Sequence, residues 1–169
     1  LIYIIKTRDV DKKYDINNQK YLILDLEYYG ETIKVLTPVM ICAFGIEKEY
    51  SNYLMKLRFD SNDDDLSDFF NFIKGFESFL EAKFEKRVKS QLREKEGYLP
   101  LLTVKLPYKK GNQNYNVYND ENKIIGKNNI NKGSMIQCLL EANLVWHDDK
   151  RSLCTCKWNV KDIYVKNCV

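Results

Sequence analysis

Alternation of apolar and polar residues is the dominant pattern in the first third of the chain. It is clearest in three segments, residues 21–28, 32–44 and 52–60. A period of two puts successive side chains on opposite faces, which is typical of a half-buried β-strand. We therefore predict three strands in this part of the chain, with a turn at Gly30 and a bend or edge position at Pro38.

The period then lengthens to between three and four residues, which is the period of an amphipathic helix. The apolar residues with this spacing are Leu66, Phe69, Phe70, Ile73, Phe76, Leu80, Phe84, Val88 and Leu92. Residues 61–68 supply caps and acidic side chains for the positive end of a helix dipole, and basic residues at 83–93 suit the other end. We predict one long helix that starts after a cap at 61–63 and ends at Gly97.

Strand patterns return after the helix. Residues 99–106 predict a fourth strand, and residues 154–165 alternate again, with apolar and basic side chains on opposite faces. Between them, 109–131 is typical of a polar hairpin or loop, and 133–146 is apolar and fits a strand or a short helix.

Three strands, one long helix and then further strands predict a mainly β protein with one long helix. The order is that of an OB-fold-like five-stranded barrel with the helix between strands 3 and 4, and an α+β sandwich would give a similar order. We predict a single domain over residues 1–169, in which 1–20 form an N-terminal extension. We expect neither a membrane span nor a signal peptide, because the apolar runs are short and the apolar start lacks a cleavage site.

Charge is distributed unevenly along the chain. The net charge is +3, but residues 98–169 carry +5 and residues 1–97 carry −2. A basic half is compatible with a nucleic-acid partner. The five cysteines are an odd number without a disulfide spacing, so we expect free thiols in a reducing compartment.

The sequence offers little for catalysis or metal binding. His147 is the one histidine, and glycine-rich phosphate loops and hydrolase or zinc-protease motifs do not occur. The carboxylates at 63–65 are explained as helix caps. Cys138, Cys154 and Cys156 could join His147 around zinc, but the Cys-x-Cys spacing is not the usual one. We expect no enzymatic activity, no cofactor and no metal.

Several short segments resemble those of one protein family. They are LTPVM at 36–40, FG at 44–45, YLMKL at 53–57, DDD at 63–65, FFNFI at 69–73, KGS at 132–134, LVW at 144–146 and CKWNV at 156–160. Together they resemble the single-stranded-DNA-binding proteins of large nucleocytoplasmic DNA viruses, the group that includes the African swine fever virus homologue. The resemblance covers residues 20–166. It implies an OB-fold replication protein, distantly similar to phage single-strand binders, that acts in viral factories of the host cytoplasm or in the nucleus.

Single-strand binders place cations along a groove that follows the phosphates, and aromatic rings on which bases stack. The strand alternation predicts that six cations point outward, namely Lys34, Lys56, Arg58, Lys105, Lys157 and Lys161. No acidic residue interrupts these outward positions within their short stretches. Tyr29 in the first turn and Tyr50 before the third strand are the predicted stacking residues, with Tyr115 and Tyr118 as further candidates on the long loop.

These residues predict a protein that binds single-stranded DNA during viral DNA replication, through backbone contacts and base stacking and without reading the sequence. RNA is an alternative ligand, and a homo-oligomer or a replication protein is a further candidate partner. Outward lysines also solvate ordinary strands and guard their edges. The alternative hypothesis is therefore a protein-interaction or structural module that ignores oligonucleotides. A nuclease that uses the carboxylates at 63–65 is the third hypothesis.

Overall fold

The computed structural model describes residues 5–16, 19–28, 31–60, 63–142 and 144–166. Before the helix, the strands are β1 (Ile5–Ile16), β2 (Gln19–Tyr28), β3 (Glu31–Leu36), β4 (Met40–Cys42), β5 (Glu47–Glu49) and β6 (Asn52–Arg58). Helix α1 covers Asp64–Phe84. It is followed by β7 (Arg87–Val88), β8 (Leu92–Arg93), β9 (Leu101–Leu106), β10 (Tyr108–Lys109), β11 (Asn112–Gln113) and β12 (Asn116–Tyr118). A 3-10 turn (Lys127–Asn129), β13 (Met135–Ala142), β14 (Leu144–Asp148), β15 (Leu153–Cys156) and β16 (Asn159–Lys166) complete the described chain.

Five of these strands close into a barrel. Going around the ring, β4 pairs with β6, β6 with β9, β9 with β16, β16 with β13, and β13 with β4. The pair between β9 and β16 is parallel, and the other four pairs are antiparallel. Closure removes the open edges that a flat sheet would expose. The prediction of a mainly β, OB-fold-like five-stranded barrel with one helix is therefore confirmed.

Helix α1 connects β6 and β9, the two segments that the sequence predicted as third and fourth strands. Counted in chain order, β6 and β9 are the second and third of the five ring strands. The count differs from the prediction because β2 lies outside the ring, and because the predicted strand at 32–44 divides at the Pro38 bend into β3 and β4. The helix thus follows the expected segment, although its ordinal place in the barrel differs from the prediction.

The helix starts as its sequence predicts and covers one end of the barrel. The Asp63 carboxylate accepts a hydrogen bond from the Asp65 amide at 2.9 Å, which is a standard N-cap. The apolar stripe of the helix is buried, and the Phe76 ring lies 5.1 Å from the Trp158 ring. Burying each such large side chain contributes about 1.5–3 kcal/mol. The inner face of the ring completes this core with Met40, Cys42, Met55, Leu57, Leu102, Val104, Ile136, Cys138, Leu140, Val160 and Ile163.

The predicted extension of the helix to Leu92 is wrong. The helix ends at Phe84, and Glu85 adopts a left-handed conformation with φ of 51°. Residues 87–93 return along the barrel as β7 and β8, which pair with β15 and β9. Val88 and Leu92 keep the helical spacing only by coincidence. The backbone of their segment forms sheet hydrogen bonds instead, such as the one from the Lys89 amide to the Cys154 carbonyl at 2.8 Å.

Beyond the ring, the sheet continues through further strands. β13 pairs with β3, β14 pairs with β2 and β15, and β2 also pairs with β1. The described residues of the apolar segment at 133–146, for which strand and helix were both open, thus form β13 and the start of β14 and contain no helix. No helix among the described residues has the length and the apolar character that a membrane span requires.

Candidate nucleic-acid interface

Strands β6 and β9 expose one face on the outside of the barrel. Their alternation sends Met55 and Leu57 into the core, where both are fully buried, and turns Lys56 and Arg58 outward. Lys105 on β9 points to the same side, because its neighbours along the strand are buried. The register supports this arrangement, since Lys56 lies opposite Thr103 and Arg58 opposite Leu101.

Lys157 joins this surface from the segment between β15 and β16. The Lys105 amide donates to the Trp158 carbonyl at 2.8 Å, which places that segment beside β9. Partial burial lowers the pKa of Lys157, the charges of Lys105 and Lys89 lower it further, and Glu49 acts in the opposite direction. The hydrogen bond from Lys105 to Trp158 thus places Lys157 beside Lys105. We call the surface formed by Lys56, Arg58, Lys105 and Lys157 the basic face.

Two carboxylates lie on the basic face. The Lys56 ammonium is 3.7 Å from a Glu47 carboxylate oxygen on β5, and Arg58 Nε is 2.7 Å from Asp60 Oδ1. Glu47 lies outside the predicted strand at 52–60, whereas Asp60 is its last residue, two positions after Arg58. Partly exposed ion pairs of this kind contribute only about 0–1 kcal/mol each.

An aromatic pocket adjoins the basic face where β4, β8 and β9 meet. Its volume is about 220 Å³, and it is lined by Phe44, Arg93, Lys95, Tyr98, Leu99 and Leu101. The ring of Phe44 is 50% exposed and that of Tyr98 is 71% exposed. The Lys56 ammonium lies 5.7 Å from the Phe44 ring centroid, and the Lys95 ammonium lies 5.1 Å from that of Tyr98. Flat open rings beside cations are what base stacking requires.

A second aromatic cluster lies at the other end of β6 and β9. The Tyr53 and Tyr108 ring centroids are 4.3 Å apart, and the hydroxyl groups of Tyr108 and Tyr115 are 3.2 Å apart. Burial, followed by this hydrogen bond, raises the pKa of Tyr115. Tyr115 is only 4% exposed, so the sequence-based proposal that it stacks with bases is wrong. The other loop candidate, Tyr118, is half-buried and stacks on Tyr164 at 5.2 Å.

The remaining predicted residues are not members of the basic face, and one of them lies outside the described chain. Tyr50 is 93% exposed in the turn between β5 and β6. Tyr29 lies outside the described residues. Lys34 is exposed on β3 opposite Glu141, and Lys161 forms an ion pair with the same Glu141 at 3.5 Å. The six predicted cations therefore form a group of four and a separate pair.

Sequence reasoning missed three residues of this site: Phe44, Arg93 and Tyr98. The sequence analysis placed Arg93 in the helix, because it predicted the end of the helix too far along the chain. Tyr98 follows Gly97, the predicted end of the helix, and was therefore not recognised as part of a loop. Phe44 was included in a strand. The chain leaves the barrel after Cys42, and Gly45 is buried with a left-handed φ of 75°, so Phe44 lies at the point where the backbone turns outward. An aromatic residue before a glycine at a strand end was the available signal.

The cysteines do not form a metal site with His147. In the described part of the chain, no three histidine, cysteine, aspartate or glutamate side chains converge as metal ligands would. Cys42, Cys138, Cys154 and Cys156 are buried free thiols, and burial raises the pKa of each. Raised thiol pKa values disfavour the thiolate that a metal binds.

Comparison with known proteins gives a likeness at the level of the fold. No family model and no curated protein sequence matches the chain. Among solved structures, the crystal structure of gp2.5, a single-stranded DNA binding protein encoded by bacteriophage T7, is similar, with a TM-score of 0.58 and 8% sequence identity. The match covers 80% of this chain and 92% of the phage protein. The two proteins share the architecture of their barrels.

Proposed function

We propose that this protein binds single-stranded DNA, without reading its sequence, through the basic face and the aromatic pocket. The observation that carries the proposal is the convergence of four cations beside two open aromatic rings. The fold likeness to a phage protein that is described as binding single-stranded DNA adds independent support. The proposed activity is binding and requires no catalytic step.

The position of the surface on the barrel favours this function. OB-folds bind oligonucleotides on the face of their second and third strands and with the loops that follow the first and fourth strands. Counted in chain order among the five ring strands, the second and third are β6 and β9, the loop after the first holds Phe44 and Tyr50, and the segment after the fourth, β13, holds Lys157. Cations would follow the phosphates while Phe44 and Tyr98 stack on bases of any identity.

The proposal is tested by the anisotropy of labelled oligo-dT across a salt series. Each phosphate neutralised on a single strand contributes about −0.7 to the slope of log K against log salt concentration, so four cations predict a slope of about −3. A mixed-sequence oligonucleotide of equal length should give a similar slope and affinity. Failure to bind oligo-dT at low salt would refute the proposal.

We further propose that the protein protects displaced strands during DNA replication. The resemblance to single-stranded-DNA-binding proteins of large nucleocytoplasmic DNA viruses supports a viral role, in factories of the host cytoplasm or in the nucleus. The test is strand-displacement synthesis by a polymerase on a primed template, with and without the protein. A saturating amount should lengthen the products, and unchanged products would contradict this role. Competition between oligo-dT and oligo-U decides between DNA and RNA.

A further inference from the structure

Strand β3 has an edge to which no described residue adds a strand. On one side, residues 33–36 pair with β13. On the other side, β2 pairs only with Glu31 and Thr32, so the ladder stops before Ile33. Uncovered edges of this kind are templates for a further strand.

The backbone groups on this edge can be identified from the ladder. The Thr37 amide donates to the Cys138 carbonyl at 2.9 Å, so Thr37 and, by alternation, Val35 and Ile33 direct their backbone groups toward β13. Lys34 and Leu36 therefore direct their amide and carbonyl groups away from β13. Pro38 ends the edge because it has no amide hydrogen.

An apolar groove lies between this edge and helix α1. It is a cavity of about 910 Å³, lined on one wall by residues 33–38 and on the other by a stripe of the helix that includes Phe72, Phe76 and Phe79. Gly75 lies between these phenylalanines, and an added Cβ there would meet nothing within 4 Å. Leu36, 55% exposed, extends the apolar lining to the surface. The volume lies within the range of about 300–1,000 Å³ that is usual for ligand sites.

We propose that this groove binds an extended segment of a partner protein as an added β-strand on β3. Strand addition takes affinity from main-chain hydrogen bonds and specificity from pockets for alternate side chains. Here Lys34 and Leu36 would supply the main-chain groups, and the phenylalanines of α1 would pack against every second side chain of the guest. This proposal concerns a different surface from the basic face and goes beyond DNA binding.

The charge at one end of the groove specifies the chemistry of the guest. Asp65 and Asp68 line it, and Asp63 and Asp64 lie in the same first turn of the helix. Asp68 is exposed at this rim. Lys34 lines the opposite wall, so the acids are confined to the helix end of the groove. A guest strand with alternating apolar residues that ends in lysine or arginine complements both the apolar wall and these acids.

The test uses a short synthetic peptide that alternates valine and threonine and carries a lysine at each end. We expect its addition to shift the backbone amide resonances of Lys34 and Leu36 and to slow their hydrogen exchange. Gly75→Leu places a side chain in the groove, where its Cβ meets nothing within 4 Å, and should weaken binding of this peptide by about tenfold or more, which corresponds to about 1.4 kcal/mol. Replacing both peptide lysines with glutamate should also weaken binding.

Ser78→Leu is the matched control, because Ser78 is exposed on the same helix and does not line the groove. It should leave peptide binding unchanged, and oligo-dT binding should be unaffected by either leucine variant. The proposal is overturned if the peptide leaves the Lys34 and Leu36 amides unchanged, or if Gly75→Leu and Ser78→Leu have equal effects. It is also overturned if those amides are protected without peptide by self-association, seen as a concentration-dependent rise in mass.

Discussion

His147 is a buried residue with a charged neighbour. It is 2% exposed, its ring packs edge-on against Phe84 at 4.6 Å, and its Nδ1 lies 3.0 Å from the Lys86 ammonium. Since an ammonium only donates, Nδ1 accepts and the ring is neutral. Lys86 also binds Asp149 at 2.7 Å, so one lysine joins the end of the helix to β14.

We predict that His147 makes the fold sensitive to acid. Burial, and then the charge of Lys86, lower its pKa to about 4, with Asp149 opposing, while the unfolded chain keeps the ordinary 6.5. Between these values the unfolded state binds a proton that the folded state does not, so stability rises with pH through this window. The full difference is about 3 kcal/mol.

The measurement is urea unfolding of the wild type and of His147→Gln from pH 7 to pH 4. The difference in unfolding free energy between the two proteins should change across this range, with the wild type losing more stability at low pH. The comparison cancels the titration of the carboxylates. A constant difference would show that His147 titrates alike in the folded and unfolded states.

Phe44 and Tyr98 carry the stacking part of the proposed function. Removing a ring that stacks on a base costs about 1–3 kcal/mol, so we expect Phe44→Ala and Tyr98→Ala each to reduce oligo-dT affinity by at least about fivefold. Tyr118→Ala is the control, because it removes a half-buried ring already stacked on Tyr164. Anisotropy at one salt concentration measures all three. Equal affinities in all three variants would contradict the assignment.

At the scale of elements, the end of helix α1 at Phe84 determines that the basic residues after it lie on β7 and β8 rather than on the helix. Glu85 has a left-handed backbone conformation, which residues other than glycine adopt at a cost in free energy. Replacing it with glycine relieves this cost and should stabilise the fold by about 0.5–1 kcal/mol.

A helix that continued through Glu85 would give the opposite sign, since glycine within a helix costs about 1 kcal/mol. Thermal unfolding of Glu85→Gly therefore distinguishes the two. Lys83→Gly, within the last helical turn, should destabilise the protein in either case and serves as the control.

Most elements were predictable because local patterns determine them. Alternation located β6, β9 and β16, and the cap and apolar stripe located the start of α1. The end of the helix was not predictable from spacing, because Val88 and Leu92 fit a helical stripe equally well. Contacts distant in sequence decided it, such as the Glu77 carboxylate accepting from the Gln91 amide at 2.9 Å.

The candidate site was predictable only in part for the same reason. Alternation identifies which side of a strand a lysine occupies, and it placed Lys56, Arg58 and Lys105 correctly outward. It does not identify which strands become neighbours. Lys34 and Lys161 therefore could not be separated from the others until the ring order placed them near Glu141.

At the scale of the molecule, barrel closure creates the basic face. Lys56 and Lys157 are about 100 residues apart in the sequence, and the parallel contact of β9 with β16 brings their segments to one surface. The groove beside β3 lies on another part of the barrel and has the opposite charge at its rim. The two proposals thus assign a polyanion and a basic peptide to separate surfaces of one small barrel.

The most direct test of the central claim compares two double charge reversals by oligo-dT anisotropy. Lys56→Glu with Arg58→Glu, and Lys34→Glu with Lys161→Glu, change the net charge equally, so general electrostatics are matched. We predict a large loss of affinity and a shallower salt slope for the first variant and near wild-type binding for the second, with both folded by circular dichroism. Equal losses, or a greater loss in the second variant, would contradict the assignment of DNA binding to the basic face.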